Sequence, residues 1–206
     1  MKYYLIHGTD ATRKDYMISQ MLNHHIPLED VNWILTPNKD DPLPSEICTN
    51  QALTIGQIAI TYKHYLALED IVKNKYSISV IMEDNISFKG VVPNKLLRYL
   101  RELPTGWGCL FDSDLLGLSY LEGPVTHEKI VYPKTNEITS QCHGGSKGAN
   151  FILISYSAAK LMYENFLPFN NVSDHYYNFL LRKLQIQSFW AEPSNVHKVP
   201  RPSTWI

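Results

Sequence analysis

Carboxylate and amide side chains follow directly on an apolar run in the segment SVIMEDNISF. Glu83, Asp84 and Asn85 come after β-branched and apolar residues that predict a buried strand at residues 76–82. Burying such groups is unfavourable unless they are bound to something. Carboxylates suit hard divalent cations such as Mg²⁺ or Mn²⁺, which often bridge a protein to substrate phosphates. The segment therefore predicts a cation and diphosphate site, with a capped turn or an ion pair to Lys or Arg as the structural alternative.

A second acidic pair lies in the segment FDSDLLG, where Asp112 and Asp114 follow another predicted strand at residues 108–111. The same reasoning applies to these carboxylates. They are the alternative metal ligands, and they would suit a metal-dependent nucleotidyltransferase or phosphohydrolase.

Strands and helices that alternate along the chain must position these side chains. Strands are predicted at residues 3–6, 31–35, 76–82, 108–111, 126–132, 151–155 and 187–190, and helices at 13–22, 54–74, 94–103, 157–165 and 174–184. Thr54 or a neighbour is the expected cap of the second helix. This order predicts an α/β fold, a largely parallel sheet with helices on both sides. Ligands of such sheets bind outside the carboxyl ends of the strands, where the acidic segments are expected.

Length and composition favour one globular domain. The chain has 206 residues, of which 44% are hydrophobic and 19% charged, and its net charge is −1. The chain has no surplus of basic residues, so its composition does not indicate a nucleic-acid partner. We find neither a signal peptide nor a membrane span in the sequence, and Cys48, Cys109 and Cys142 have no metal or disulfide spacing, so we expect a cytoplasmic protein. We expect residues 195–206 to be a tail or the start of a linker.

Several segments resemble glycosyltransferase family 25, the lipopolysaccharide-type galactosyltransferases. ALTIGQIAITYKHYLALEDI resembles the family segment LTxGExGCxxSHxxxW: Leu53, Thr54, Gly56, Ile58 and His64 match, whereas Gln57, Ala59, Ile60 and Lys63 depart. VIMEDNISF resembles xxLEDDxxF, and GANFILISYSAAKLMYEN is similar to GTxAYxISxxGAxKLL. The resemblance runs in order along nearly the whole chain. It extends to short, GT-A-like glycosyltransferases of large algal viruses.

This resemblance implies a single GT-A-like domain over residues 1–206, a nucleoside-diphosphate sugar as donor, a glycan or glycoprotein acceptor and Mn²⁺ or Mg²⁺. Asp84, Asn85 and His197 would be the metal ligands, with Glu83 on the donor's ribose and diphosphate. Asn85 stands where the family has a second acidic residue. Asp174, before the last long helix, would be the catalytic base of an inverting transfer, and capping of that helix by Asp174 or Ser173 is the structural alternative.

Residues after the first strand complete the predicted donor site. His7, Gly8, Thr9 and Arg13 stand where GT-A proteins bind the nucleotide, and an ordinary strand-to-helix turn is the alternative. Lys147 lies in a glycine-rich segment that would close over the donor phosphates, or would be a flexible connector. A further alternative is a non-catalytic sugar- or nucleotide-binding module. Asn85 and Gln57 favour it, because they are amides at positions where the family has acidic residues.

Overall fold

The computed structural model describes residues 1–112, 129–134 and 148–199. Within them, a central sheet of seven strands has the order β2-β1-β3-β7-β5-β8-β6. Its strands are β1 (Lys2–Ile6), β2 (Val31–Ile34), β3 (Ile78–Glu83), β5 (Cys109–Phe111), β6 (Val131–Pro133), β7 (Phe151–Ser155) and β8 (Ser188–Ala191). A separate antiparallel ribbon pairs β4 (Ile86–Phe88) with β9 (Val196–Lys198).

The direction of the strands decides which residues meet at each edge of the sheet. β1 is parallel to β2 and to β3, and β5 is parallel to β8. β7 runs antiparallel to its neighbours β3 and β5, and β6 runs antiparallel to β8. The carboxyl ends of β1, β3, β5 and β8 therefore lie at the same edge as the start of β7. We call this edge the site edge.

Helices cover both faces of the sheet. They are α1 (Ala11–Asn23), α2 (Ile55–Asn74), α3 (Val92–Glu102), α4 (Tyr156–Glu164) and α5 (Ser173–Lys183). Alternation along the strands separates two apolar cores: Ile81 and Ile152 pack with α2, α4 and α5, whereas Met82 and Phe151 pack with α1 and α3. The predicted fold class, an α/β domain with a mostly parallel central sheet flanked by helices, is confirmed.

The start of α2 shows how the sequence sets one element. Thr54 Oγ1 accepts a hydrogen bond from the backbone N–H of Gln57, 3.3 Å away, and Gln57 Oε1 accepts one from the backbone N–H of Thr54, 2.9 Å away. This reciprocal capping box satisfies two otherwise unpaired donors. Thr54 is thus the cap that the sequence predicts, and the amide of Gln57 has a structural use.

The structure adds strands that the sequence reading did not contain. β4 follows the acidic segment immediately, and β9 lies within residues expected as a tail or linker. The backbone N–H of Val199 donates to the carbonyl of Asn85 over 2.7 Å, so this late segment contacts the acidic residues. Among the described helices, none has the length and apolar character needed to cross a bilayer.

Candidate functional site

Polar residues from separate strands meet at the site edge. Ile6 pairs with Glu83 in the register of β1 and β3, so the next residues along each strand, His7 and Asp84, become neighbours. Because β7 is reversed, the residue before it, Asn150, comes to the same edge, and its carbonyl accepts a hydrogen bond from the backbone N–H of Glu83 over 2.9 Å. Glu83, Asp84 and Asn85 form what we call the acidic turn.

Asp84 is held by cationic and hydrogen-bonding side chains. Its side chain is 1% exposed, and Oδ2 lies 2.8 Å from Nδ1 of His7, so that the ring N–H donates to the carboxylate. Arg13 Nη1 lies 3.7 Å from Oδ1 and donates to the Asp84 carbonyl oxygen at 3.3 Å. The turn and the first strand-to-helix connection are therefore joined. Of the structural alternatives for Asp84, pairing with an arginine is observed.

Lys63 brings a buried cation to the same place. Its side chain is fully buried on α2, and Nζ donates to the carbonyl of His7 at 2.6 Å and to Oδ1 of Asn38 at 3.2 Å. In the sequence, Lys63 stands out only as a departure from the family motif. The signal available was its position on the helix, because Ala59 and Ala67, one turn before and after it, belong to the buried stripe.

Glu83 lies on the opposite face of the sheet from Met82, against α2 and α5. Its Oε1 is 3.4 Å from His64 Nε2, and its Oε2 accepts from Asn150 Nδ2 at 3.4 Å. The same amide nitrogen of Asn150 donates to Asn85 Oδ1 at 2.8 Å. His64, which matches the family motif, is fully buried here. Glu83 and Asn85 are thus tied together through Asn150.

Buried polar atoms without a hydrogen-bond partner occur in the network of Glu83, His64 and Asn150 and next to it. They are Asn150 Oδ1, His64 Nδ1 and the hydroxyl oxygen of Tyr177, each without such a partner in the described structure. The Tyr177 ring packs edge-on against His64 at 5.4 Å between centroids. Burial, with Cys109 and Glu83 adding, raises the pKa of Tyr177 well above its usual value. Its hydroxyl therefore keeps its proton and stays available as a donor. Asn150 and Tyr177 were not singled out from the sequence, because nothing local marks them.

Asp112 is buried, and both of its carboxylate oxygens accept hydrogen bonds from the protein. It is 1% exposed; Oδ2 accepts from Tyr99 at 2.7 Å, and Oδ1 accepts from Ser194 Oγ at 2.7 Å and from the backbone N–H of Asn195 at 2.8 Å. Burial raises the pKa of Asp112, whereas these hydrogen bonds act to lower it. Oδ1 thus fixes the connection between β8 and β9, and Oδ2 is held by Tyr99 on α3. Asp114 lies outside the described residues.

An open cleft lies beside Arg13. It has a volume of about 220 Å³ and is lined by Asp10, Thr12, Arg13, Tyr16 and Val199. We call it the arginine cleft. Asp10 caps α1, because its side chain accepts from the backbone N–H of Arg13 at 3.1 Å. Gly8 is buried in the turn before it and Thr9 is exposed, and neither lines the cleft.

Asp174 stands in the first turn of α5. The cap residue of this helix is Val172, which makes no side-chain capping bond, so capping by Asp174 or Ser173 is not observed. Asp174 is half-buried, and within the described part of the chain its Oδ1 accepts one hydrogen bond, a local one from the backbone N–H of His175 at 2.8 Å. One helical turn later comes Tyr177, which packs against His64 beside Glu83. Asp174, three residues before Tyr177, therefore lies on the same side of α5 as Tyr177.

Similar structures show the fold alone. No family model matches the chain, and no curated protein matches it in sequence. A solved structure described as A197 from STIV is similar over 95% of this chain and 83% of that chain, with a TM-score of 0.50 and 12% identity. This supports the α/β fold.

Glycosyltransferase structures are also similar, at lower scores. LgtC, a galactosyltransferase, matches over 98% of this chain and 88% of its own, with a TM-score of 0.49 and 10% identity. A Drosophila β-1,4-galactosyltransferase 7, in complex with manganese, UDP-Gal and xylobiose, matches over 98% and 72%, with a TM-score of 0.45 and 10% identity.

The side chains expected to bind a metal are in contact with other protein groups in this structure. Asp84 and Asn85 both accept from protein donors, His7 and Asn150 respectively. His197 lies on β9 opposite Ser87, and its side chain is half-buried. No group of three His, Cys, Asp or Glu side chains that could hold a metal ion occurs within residues 1–112, 129–134 and 148–199. With the hydrogen bonds from His7 and Asn150 in place, Asp84 and Asn85 do not fit the several oxygen ligands that Mn²⁺ or Mg²⁺ needs. Lys147, the expected phosphate ligand, is outside the described residues.

Proposed function

We propose that this chain is a glycosyltransferase that moves a sugar from a nucleoside-diphosphate donor, UDP-linked by the family resemblance, to a hydroxyl group of a glycan. The observation that carries the proposal is the meeting of His7, Asp84 and Arg13 at the carboxyl ends of two parallel strands, beside an open cleft. Crevices at such strand ends are where open α/β sheets bind their ligands. The ordered sequence resemblance to glycosyltransferase family 25 supports the same assignment.

Asp174 is the proposed catalytic base. In an inverting transfer, its carboxylate takes the proton of the acceptor hydroxyl while the hydroxyl oxygen forms a bond to the anomeric carbon of the sugar. The bond from that carbon to the diphosphate oxygen breaks on the opposite face, and the nucleoside diphosphate leaves with the electron pair. The half-buried position of Asp174 and its single local hydrogen bond are compatible with this role.

The phosphohydrolase alternative receives less support. It needs Asp112 as a metal ligand, yet Tyr99, Ser194 and the backbone of Asn195 already donate to both of its oxygens. Gln57, one of the amides that favoured a non-catalytic module, closes the capping box of α2. Asn85, the other, accepts from Asn150 and joins the networks of the acidic turn.

Product analysis tests the proposal. The chain is incubated with UDP-galactose, UDP-glucose, UDP-N-acetylglucosamine and GDP-mannose, each with an array of glycan acceptors, and products are identified by mass spectrometry. We expect a glycosylated acceptor and free nucleoside diphosphate, in an amount that falls with Asp174→Asn. Nucleotide binding without turnover would instead indicate a binding module. Release of nucleoside monophosphate would indicate a phosphohydrolase.

A further inference from the structure

Every side chain of the acidic turn already accepts a hydrogen bond or ion pair from the protein. Glu83 contacts His64 and Asn150, Asn85 accepts from Asn150, and Asp84 is bound by His7 and approached by Arg13. Their exposed fractions are 7%, 2% and 1%. A hard divalent cation needs several oxygen lone pairs that point at one position. A cation that took both oxygens of Asp84 would displace the hydrogen bond from His7 to Oδ2 and the ion pair of Oδ1 with Arg13, 3.7 Å away.

The positive charge at this place comes from the chain itself. Arg13 has a side chain that is 10% exposed; Nη1 contacts Asp84, and the residue also lines the arginine cleft. The buried Lys63 ammonium adds a second cation behind the turn, on the His7 carbonyl. A guanidinium has five N–H donors in a planar fork that matches phosphate oxygens. Contact with Asp84 engages one nitrogen of that fork.

We propose that Arg13, positioned by Asp84 and His7, binds the donor diphosphate in the arginine cleft, and that the acidic turn binds no divalent cation. This inference rests on the proposed function and specifies its donor site. Asp84 is then a positioning residue for Arg13 rather than a metal ligand. The negative charge that develops on the leaving diphosphate is stabilised by a fixed cation, as in other sites where arginine contacts a phosphoryl group.

Calorimetric titration with UDP and GDP tests this, with each titration done once in MnCl₂ and once in EDTA. For the wild type we expect the Kd in MnCl₂ and the Kd in EDTA to agree within about two-fold. This difference is small beside a tenfold change in Kd, which corresponds to about 1.4 kcal/mol. Arg13→Gln should weaken binding about tenfold or more in both conditions, because a charge-assisted contact is lost. Arg101→Gln, which removes an exposed arginine from the last turn of α3, is the matched control and should leave Kd unchanged.

Asp84→Asn separates positioning from metal binding. If Asp84 positions Arg13, the variant weakens UDP binding by the same factor in Mn²⁺ and in EDTA. A loss confined to the Mn²⁺ titration would identify Asp84 as a metal ligand and overturn the inference. Because this variant could unfold, Mn²⁺ alone is also titrated into the wild type and followed by electron paramagnetic resonance. We expect the signal of the free aqua ion; a bound ion that Arg13→Gln leaves in place would likewise overturn the inference.

The proposed function fails in a different way. If UDP and GDP bind in neither condition, the chain has no site for these nucleotides, and the inference falls together with the function. If they bind only with Mn²⁺, the function stands and the inference alone is wrong.

Discussion

Nδ1 of His7 and Oδ2 of Asp84 lie 2.8 Å apart, across the ends of two neighbouring parallel strands. Both side chains are almost fully buried, and the His7 ring also packs edge-on against Trp33, with 5.6 Å between centroids. This contact joins the acidic turn to the segment between β1 and α1, and that segment leads to Arg13. Its strength can be measured apart from any catalytic assay.

His7→Phe should lower the free energy of unfolding by about 1.5–3 kcal/mol, because Asp84 loses a hydrogen-bond donor while the aromatic contact with Trp33 is kept. Urea denaturation measures the change. A cycle with Asp84→Asn should give a coupling energy of at least about 0.5 kcal/mol. His24→Phe is the matched control: its Nδ1 contacts the Gly90 carbonyl at an exposed position, where water can replace it. Additive effects of the two changes would contradict a direct contact.

Asp174→Asn should lower kcat for transfer by about 10²- to 10⁴-fold, the usual contribution of a general base. The Kd for UDP and the melting temperature should stay unchanged, since the carboxylate makes only a local hydrogen bond. Glu164→Gln, at an exposed position of α4, serves as the control. A variant with full kcat would remove Asp174 from the mechanism.

Tyr99→Phe should destabilise the fold by about 1.5–3 kcal/mol, because the buried Asp112 loses the donor 2.7 Å from Oδ2. Thermal or urea unfolding gives the value. Tyr163→Phe makes the same chemical change at a partly exposed hydroxyl, 3.4 Å from Glu69, and should cost less than about 1 kcal/mol. Equal effects of the two substitutions would show that the hydrogen bond to Asp112 contributes no more to stability than the hydrogen bond to Glu69.

The stability difference between the wild type and Asp112→Asn should depend on pH. Burial raises the pKa of Asp112 in the folded state above its ordinary value, so the folded protein binds this proton more tightly than the unfolded chain. The stability from this group is present below the unfolded pKa and is lost as pH rises through the folded one. The wild type should therefore lose stability relative to Asp112→Asn across that window. Urea unfolding from about pH 4 to 7 checks it, and parallel curves would contradict it.

Helices and strands could be read from the sequence because apolar periodicity is local. Each helix from α1 to α5 overlaps a predicted one, and the acidic turn was placed correctly at the end of β3. The antiparallel direction of β7 could not be predicted from the sequence, because its run of apolar residues has the same pattern in either direction. That antiparallel direction is what brings Asn150 to the site edge.

The partners of the candidate residues were harder to predict than their positions. Asp84 was expected to hold a cation, and nothing in its neighbours in sequence shows that His7 and Arg13 reach it. Those contacts arise from the pairing of β1 with β3, which brings together segments far apart in the chain. Lys63 was overlooked for a related reason, because lysine is almost never fully buried unless its charge is paired or hydrogen-bonded.

The β4–β9 ribbon starts next to the acidic turn, and the hydrogen exchange of two backbone amides at the ends of the ribbon can report on the turn. The amide of Val199 donates to the Asn85 carbonyl at 2.7 Å, and the amide of Lys89 donates to the Asn195 carbonyl at 2.8 Å. These two protons exchange with solvent only when the ribbon opens. A ligand seated against Val199 in the arginine cleft should slow their exchange. Hydrogen–deuterium exchange at two amides would then report occupancy without any labelled substrate.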